Sequence, residues 1–124
     1  MEDHPNAARY RAAAQAMEEG RFEEVMDGVS DDIIWWQIGS DQPLKGKQAL
    51  MDSMGVMSDY GIKAELHDVV GNDEHVIALV NATATKDGKT FKYRTAEIHH
   101  VKDGKITERW AFSDDTDAIN KFFA

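Results

Sequence analysis

The stretch HVIALVNATATKDGKTFKYRTAEIHHVKDGKITERWAFS, residues 75–113, decides the fold. It holds three runs rich in Val, Ile, Thr and aromatic residues: His75 to Lys86, Thr90 to Val101 and Lys105 to Ser113. The breaks between them are Asp87-Gly88 and Asp103-Gly104. β-Branched and aromatic side chains suit a pleated, half-buried surface. Asp-Gly suits a two-residue type I′ turn, whose central residues both need positive φ. The pattern predicts consecutive hairpins. A fourth run, Ile62 to Val70, joins through Gly71-Asn72-Asp73, so the expectation is a four-strand antiparallel meander.

Upstream, the texture is helical. Tyr10, Ala13, Ala14 and Met17 recur at three- and four-residue spacing between Asn6 and Met17, and Gly20 supplies a stop. Phe22, Val25, Met26 and Val29 predict a second, shorter helix. Asp32 to Ile38 turns β-branched and aromatic, predicting a first strand before a break at Gly39 to Pro43. A third helix after Gly46 carries Ala49, Leu50, Met54 and Met57 and ends near Tyr60-Gly61. The last ten residues read as helix again, with Asp114 or Asp115 as N-cap and Ala118, Ile119, Phe122 and Phe123 on one face. Helices grouped before a meander give an α+β fold, and 124 residues suit a single domain spanning 1–124.

Composition narrows the function. With 23 acidic and 14 basic side chains the formal charge is −9, a field that repels phosphate backbones and anionic lipid, so neither nucleic acid nor membrane is an expected partner. Cysteine is absent, which removes thiolate nucleophiles and Cys-type zinc or iron–sulfur sites and suits a reducing cytoplasm. The longest apolar run, Val76 to Val80, is far short of the roughly 20 residues a bilayer needs. The start Met1-Glu2-Asp3-His4 does not read as a signal peptide. The expectation is a soluble, cytoplasmic protein.

Several local features carry a resemblance: Gly20 followed by Phe22 and Val25, Ser30-Asp31-Asp32 before the aromatic strand, Gly39 to Gly46 leading into the third helix, and Asp103-Gly104-Lys105-Ile106-Thr107-Glu108 with Trp110. Together with the element order, these resemble the SnoaL-like and ketosteroid isomerase-like proteins of the nuclear transport factor 2-like superfamily. The resemblance implies a curved antiparallel sheet wrapped around helices into a cone (a cystatin-like α+β barrel) with a ligand pocket inside, and homodimers formed on the outer sheet face. A fold of this kind hosts many activities. Ketosteroid isomerases pair a general-base Asp with an oxyanion hole built from a Tyr and a protonated acid. In this chain the oxyanion-hole Tyr falls on Ala13 and the general-base Asp on Gln37; only the acidic donor is kept, as Glu97. Steroid double-bond isomerisation by that route is not expected. The same alignment, with period-two alternation, points Trp35, Gln37, Leu79, Asn81, Thr95, Glu97, His99, Arg109, Ala111 and Ser113 into the cone.

Glu97 and His99 share a strand face, and Arg109 lies on the neighbouring strand, close to opposite Glu97 if pairing is regular. The trio reads either as acid–base machinery or as a structural Glu97–Arg109 ion pair. Adjacent His99 and His100 face opposite ways and cannot ligate one metal, while His67 and His75 read as surface residues. No nucleophile-elbow or phosphate-loop motif occurs. Trp35 and Trp36 also face opposite ways, one toward the pocket and one outward, unless both are ordinary core. Met51, Met54 and Met57 are gap-fillers or a soft ligand lining. The leading expectation is a small-molecule lyase, isomerase or cyclase using general acid–base chemistry without metal or organic cofactor. Glu97, His99 and Arg109 are the catalytic candidates. Trp35, Gln37, Met54, Met57, Leu79, Asn81, Thr95, Ala111 and Ser113 are the ligand-binding ones, for a small apolar or weakly polar organic molecule. The alternative is a non-catalytic hydrophobic-ligand-binding or dimerisation module. Outward Trp36, Ile98 and Trp110 predict a homodimer.

Overall fold

The computed structural model describes residues 3–124, with the side chains of residues 56–58 outside the described set. In chain order the elements are α1 (Pro5–Glu18), α2 (Phe22–Asp27), β1 (Val29–Trp35), β2 (Leu44–Lys45), α3 (Lys47–Met57), a 3₁₀ turn (Ser58–Tyr60), β3 (Lys63–Gly71), β4 (His75–Lys86), β5 (Lys89–Lys102), β6 (Lys105–Ser113) and α4 (Thr116–Phe123). The strands form one curved sheet in the order β2-β1-β6-β5-β4-β3. β1 runs parallel to β6, and the other neighbours are antiparallel. Register shifts in β1, near His67 in β3 and near Thr107 in β6 supply bends, because an extra residue on one strand locally raises its twist. The Asp-Gly turns behave as their chemistry requires: Asp87 and Gly88 have φ of 52° and 76°, Asp103 and Gly104 of 53° and 77°.

Two clusters fill the concave side. α1 crosses β3 and β4, burying Ala7 against Val69, Val76, Ala78 and Val80, with Tyr10, Leu66 and Val101 around them. The approach is close at Gly71, where an added Cβ would lie 3.3 Å from the Ala7 backbone nitrogen. Buried Asn6 fastens this end, donating from Nδ2 to the carbonyls of Asn72 (2.9 Å) and Asp73 (3.3 Å). The second cluster packs α2 and α3 on β1 through Met26, Val29, Ile33 and Leu50, with Val25, Trp35, Met54 and Ile106 beside them.

Four expectations need correction. The buried stripe of α1 is Asn6, Ala7 and Ala16 with Tyr10 packed alongside, while Met17 is exposed, because the end of the helix meets α2 rather than the sheet. Phe22 is exposed, and Val29 opens β1 rather than closing α2. β1 begins at Val29 and ends at Trp35, three residues earlier at each end than the texture suggests. Its partner is the distant β6, bonded through Ile106 N–H to the Gly28 carbonyl at 2.9 Å, a pairing that local composition does not encode. The short strand β2, Leu44–Lys45, has no sequence signature of its own.

Candidate active site inside the sheet

β5 presents Thr95, Glu97 and His99 to the concave side, and all three are buried or half-buried. Getting Arg109 to the same side depends on one irregularity. The Asp103-Gly104 turn pairs Lys102 with Lys105 and Val101 with Ile106; continued in step, Arg109 would stand opposite Ile98 and turn outward. The shift between His100 and Val101 adds one residue to β6, so Arg109 faces His99 and Ala111 faces Glu97. The expectation that Arg109 sits nearly opposite Glu97 is therefore corrected: it reaches Glu97 diagonally.

The contact is close. Arg109 donates to Glu97 Oε1 from Nη2 (2.7 Å) and Nε (3.2 Å), and from Nη1 to the Trp36 carbonyl (2.8 Å). Its guanidinium also lies over the Trp35 ring, 4.3 Å from the centroid. Both Arg109 bonds to the carboxylate converge on Oε1; among the described residues Oε2 receives only the Thr95 hydroxyl at 3.3 Å. Burial pushes the Glu97 carboxyl up, but the Arg109 charge and hydrogen bonds outweigh it, and the group sits below the usual carboxylate range. Glu97 is a carboxylate with one lightly engaged oxygen.

His99 is 1 % exposed, and its ring lies 4.8 Å from Tyr10 and 6.5 Å from Trp35. Burial lowers its pKa to about 4, with Glu97 opposing and Arg109 reinforcing the shift, so the imidazole is neutral at pH 7. Its Nδ1 is buried with no hydrogen-bond partner among the described residues. Such an atom costs about 1 to 3 kcal/mol while it lacks a partner, and a ligand polar group could supply one. The Tyr10 phenol is pushed well above its ordinary value, by burial first and by the Glu97 charge second, and stays protonated. The interior thus combines a neutralised charge pair with neutral hydrogen-bonding groups.

The remaining candidates divide. Trp35 faces inward onto His99 and Arg109. Thr95 is buried against Glu97, and Ala111 pairs with Glu97 on β6. Gln37 donates to Ser53 of α3 at 2.7 Å, which ties it to the helix rather than to Glu97. Met54 packs on the Met26–Leu50 cluster as a gap-filler, and the Met57 side chain lies outside the described residues. Ser113 bonds at the β6–α4 junction, to Asp114 (3.3 Å) and from the Asp115 N–H (3.1 Å). Leu79 and Asn81 are corrected: both are exposed on the convex face, where Leu79 pairs with Ala96 and Asn81 with Arg94. Asn81 lines a hollow of about 560 Å³ with Lys63, Glu65, Lys92 and Arg94, one that Glu97, His99 and Arg109 do not touch. The signal that sets β4 correctly is the Asp87-Gly88 turn: stepping back from Lys86 opposite Lys89 puts Ala78, not Leu79, opposite Glu97. Tyr10 is legible in the sequence only as a helix-face residue. As expected, His100 turns outward, 3.4 Å from Glu108 and in ring contact with His75 and Trp110 at 4.8 Å. Among the described residues no group of three or more His, Asp or Glu is arranged to hold a metal, and no helix is long and apolar enough to cross a membrane.

The SnoaL-like domain family matches residues 10–109. Among solved structures, a protein with a cystatin-like fold from Xanthomonas campestris superposes with a TM-score of 0.84 at 21% identity, covering 98% of this chain and 99% of that one. TerC co-crystallised with polyporic acid gives 0.80 at 17%, covering 95% and 97%. A Mycobacterium tuberculosis epoxide hydrolase described as LEH-like gives 0.76 at 16%, covering 95% and 89%. At these identities the likeness is one of fold. No curated protein matches the sequence significantly.

The buried groups set the pH dependence of stability. Unfolded, a His takes up a proton below about pH 6.5, whereas folded His99 does so only near 4, so the unfolded state binds more protons between those values and stability falls as pH drops through that window. Urea titrations of wild type and His99→Asn should differ by a slope confined to about pH 4 to 6.5, on the order of 3 kcal/mol across it. Glu97, with its folded value depressed, contributes above the unfolded value of about 4.3 and loses that contribution below it. Parallel pH profiles for the two proteins between pH 4 and 6.5 would contradict a buried neutral His99.

Proposed function

The chain belongs to the SnoaL-like domain family, and from that premise we propose that it is a small-molecule lyase, isomerase or cyclase working by general acid–base chemistry, with Glu97 as the proton-transfer group. The observation that carries the reading is the asymmetry of the carboxylate: Arg109 grips Oε1 and leaves Oε2 lightly engaged. Oε2 is the proton acceptor. Arg109 fixes the orientation of the carboxylate, and the protonated Tyr10 phenol supplies a hydrogen bond to the oxygen on which negative charge develops, with neutral His99 packed beside it. Trp35, Thr95 and Ala111 are inner-face neighbours of the Glu97–Arg109 pair. The ligand is a small, apolar or weakly polar organic molecule. A fold relative crystallised with polyporic acid, and another described as an epoxide hydrolase, support an organic ligand and a catalytic role. A cytoplasmic location is part of the same proposal.

Ring opening of a nitrobenzisoxazole tests the assignment, since that reaction needs only a base in an apolar site. Wild type should accelerate it above the buffer rate, and Glu97→Gln should lose about 10²-fold or more of the acceleration. The second reading, a non-catalytic binding module, is favoured by the internal satisfaction of Glu97 by Arg109 and of Gln37 by Ser53. It predicts equal rates for the two proteins.

We also propose a homodimer through the convex face. Val70, Ile77, Leu79 and Phe112 are exposed there, with Phe112 at 60 %, and the strand register sets Ile77 beside Ile98 and Trp110. Exposed apolar area of this kind is uncommon on monomers. Trp36, bonded to Glu108 at 3.1 Å, borders the patch. Sedimentation at micromolar concentration should give twice the 13.9 kDa chain mass, and Phe112→Glu should return the monomer; a monomeric wild type contradicts the dimer.

A further inference from the structure

The inner face of β5 is covered by different materials at its two ends. Beyond His99, α1 close-packs small aliphatic residues, with Ala7, Val69 and Val76 almost inaccessible. Beyond Thr95, five aromatic rings meet: Tyr60 of the 3₁₀ turn, Phe91 and Tyr93 of β5, and Phe122 and Phe123 of α4. Phe122 lies on Phe91 at 5.1 Å and 22°, and Phe91 on Tyr93 at 5.4 Å and 20°, so three rings form one near-parallel stack. Phe123 stands edge-on to Tyr60 at 5.0 Å and to Tyr93 at 6.3 Å. None of the five is fully buried. Tyr93 precedes Glu97 by four residues on the same strand face, about 13 Å along the strand.

α4 is held there by side chains. Among the described residues no backbone–backbone hydrogen bond joins residues 116–124 to another element. Lys86 Nζ donates to the carbonyls of Ala124 (2.6 Å) and Phe122 (3.5 Å), Ile119 is buried, and Asn120 sits so close to Gly39 that an added Cβ would meet its Oδ1 at 2.0 Å. The base of the helix is anchored more firmly, with Asp114 N–H bonded to the Arg94 carbonyl and Asp114 Oδ1 accepting the Arg94 N–H, both at 3.2 Å. An element fastened through its backbone at its base and by side-chain contacts beyond it can swing.

We propose that the slot walled by Tyr60, Phe91 and Tyr93 is a binding subsite for a flat apolar ring of a ligand, and that Phe122 and Phe123 of α4 occupy it as a displaceable plug. A ligand ring entering between these walls replaces the stacking that Phe122 gives up, so the exchange leaves the ring contacts nearly balanced. The polar end of the ligand then extends toward Glu97; this much rests on the acid–base reading above.

The chain has no cysteine, so one introduced thiol reports one position. Ala111→Cys places a thiol on the inner face opposite Glu97, and Val76→Cys places one in the α1 cluster at the other end. The probe is 5,5′-dithiobis(2-nitrobenzoate), an aromatic disulfide. Adding Phe122→Ala/Phe123→Ala to the Ala111→Cys protein should speed its labelling by about tenfold or more, with the Val76→Cys protein unchanged in the same background. Gly39→Ala, which collides with Asn120, should act in the same direction. With the plug removed, a naphthalene sulfonate should slow the Ala111→Cys labelling again by filling the slot. Unchanged labelling in the plug variants, equal acceleration at Val76→Cys, failure of both plug variants to fold, or no protection by the naphthalene sulfonate would each overturn the proposal. Labelling requires no turnover, so its failure leaves the Glu97 assignment standing, and loss of the Glu97 assignment leaves the slot testable.

Discussion

Arg109 is the group on which the interior depends. It is 7 % exposed, and a buried guanidinium must be both neutralised and hydrogen-bonded, because an unpaired buried charge is strongly destabilising. Three groups meet that demand. Glu97 of β5 supplies the countercharge, Trp35 of β1 supplies a ring face, and the Trp36 carbonyl takes the third donor. The Trp36 N–H in turn donates to the Arg109 carbonyl at 2.8 Å, so side chain and backbone of one residue grip the same point on the chain. That reciprocal contact extends the parallel β1–β6 pairing beyond Trp35 and makes the residue that tunes the site also a residue that joins the helical half of the chain to the meander.

The same pair sets what the site can do. A Glu alone in apolar surroundings would be protonated at neutral pH; beside Arg109 it is a carboxylate, the form that the proposed proton transfer requires. His99 and Tyr10 beside it are both held uncharged by burial, so they add no further charge to the interior.

Much of this is legible in the sequence, and the exceptions have physical reasons. Asp-Gly turns encode their own geometry, so β4 and β6 begin and end at the residues that the turns and composition indicate. Helix α4 announces an N-cap at Asp114 or Asp115, and Asp115 is the one whose side chain accepts from the Ala118 N–H, at 3.0 Å. The face of β4 misleads because both sides of that strand are apolar: Val76, Ala78 and Val80 face α1, while the larger Ile77 and Leu79 face outward. Period-two alternation carries no information when both sets are hydrophobic; the hairpin count does. Arg109 presents the reverse case. Its inward placement is expected from the alignment, but regular pairing would turn it out, and only the extra residue near Thr107 brings it in. A bulge leaves no mark in composition, nor does the long-range pairing that starts β1 at Val29.

A double-mutant cycle on the buried pair tests the account most directly. By urea denaturation at pH 7, Arg109→Met and Glu97→Leu should each cost on the order of 3 to 5 kcal/mol, because each leaves the other charge buried without its partner. The double variant should cost far less than the sum, since it removes both charges together. Additive losses would show that Glu97 and Arg109 do not act as one buried unit, and the interior would need another organising contact.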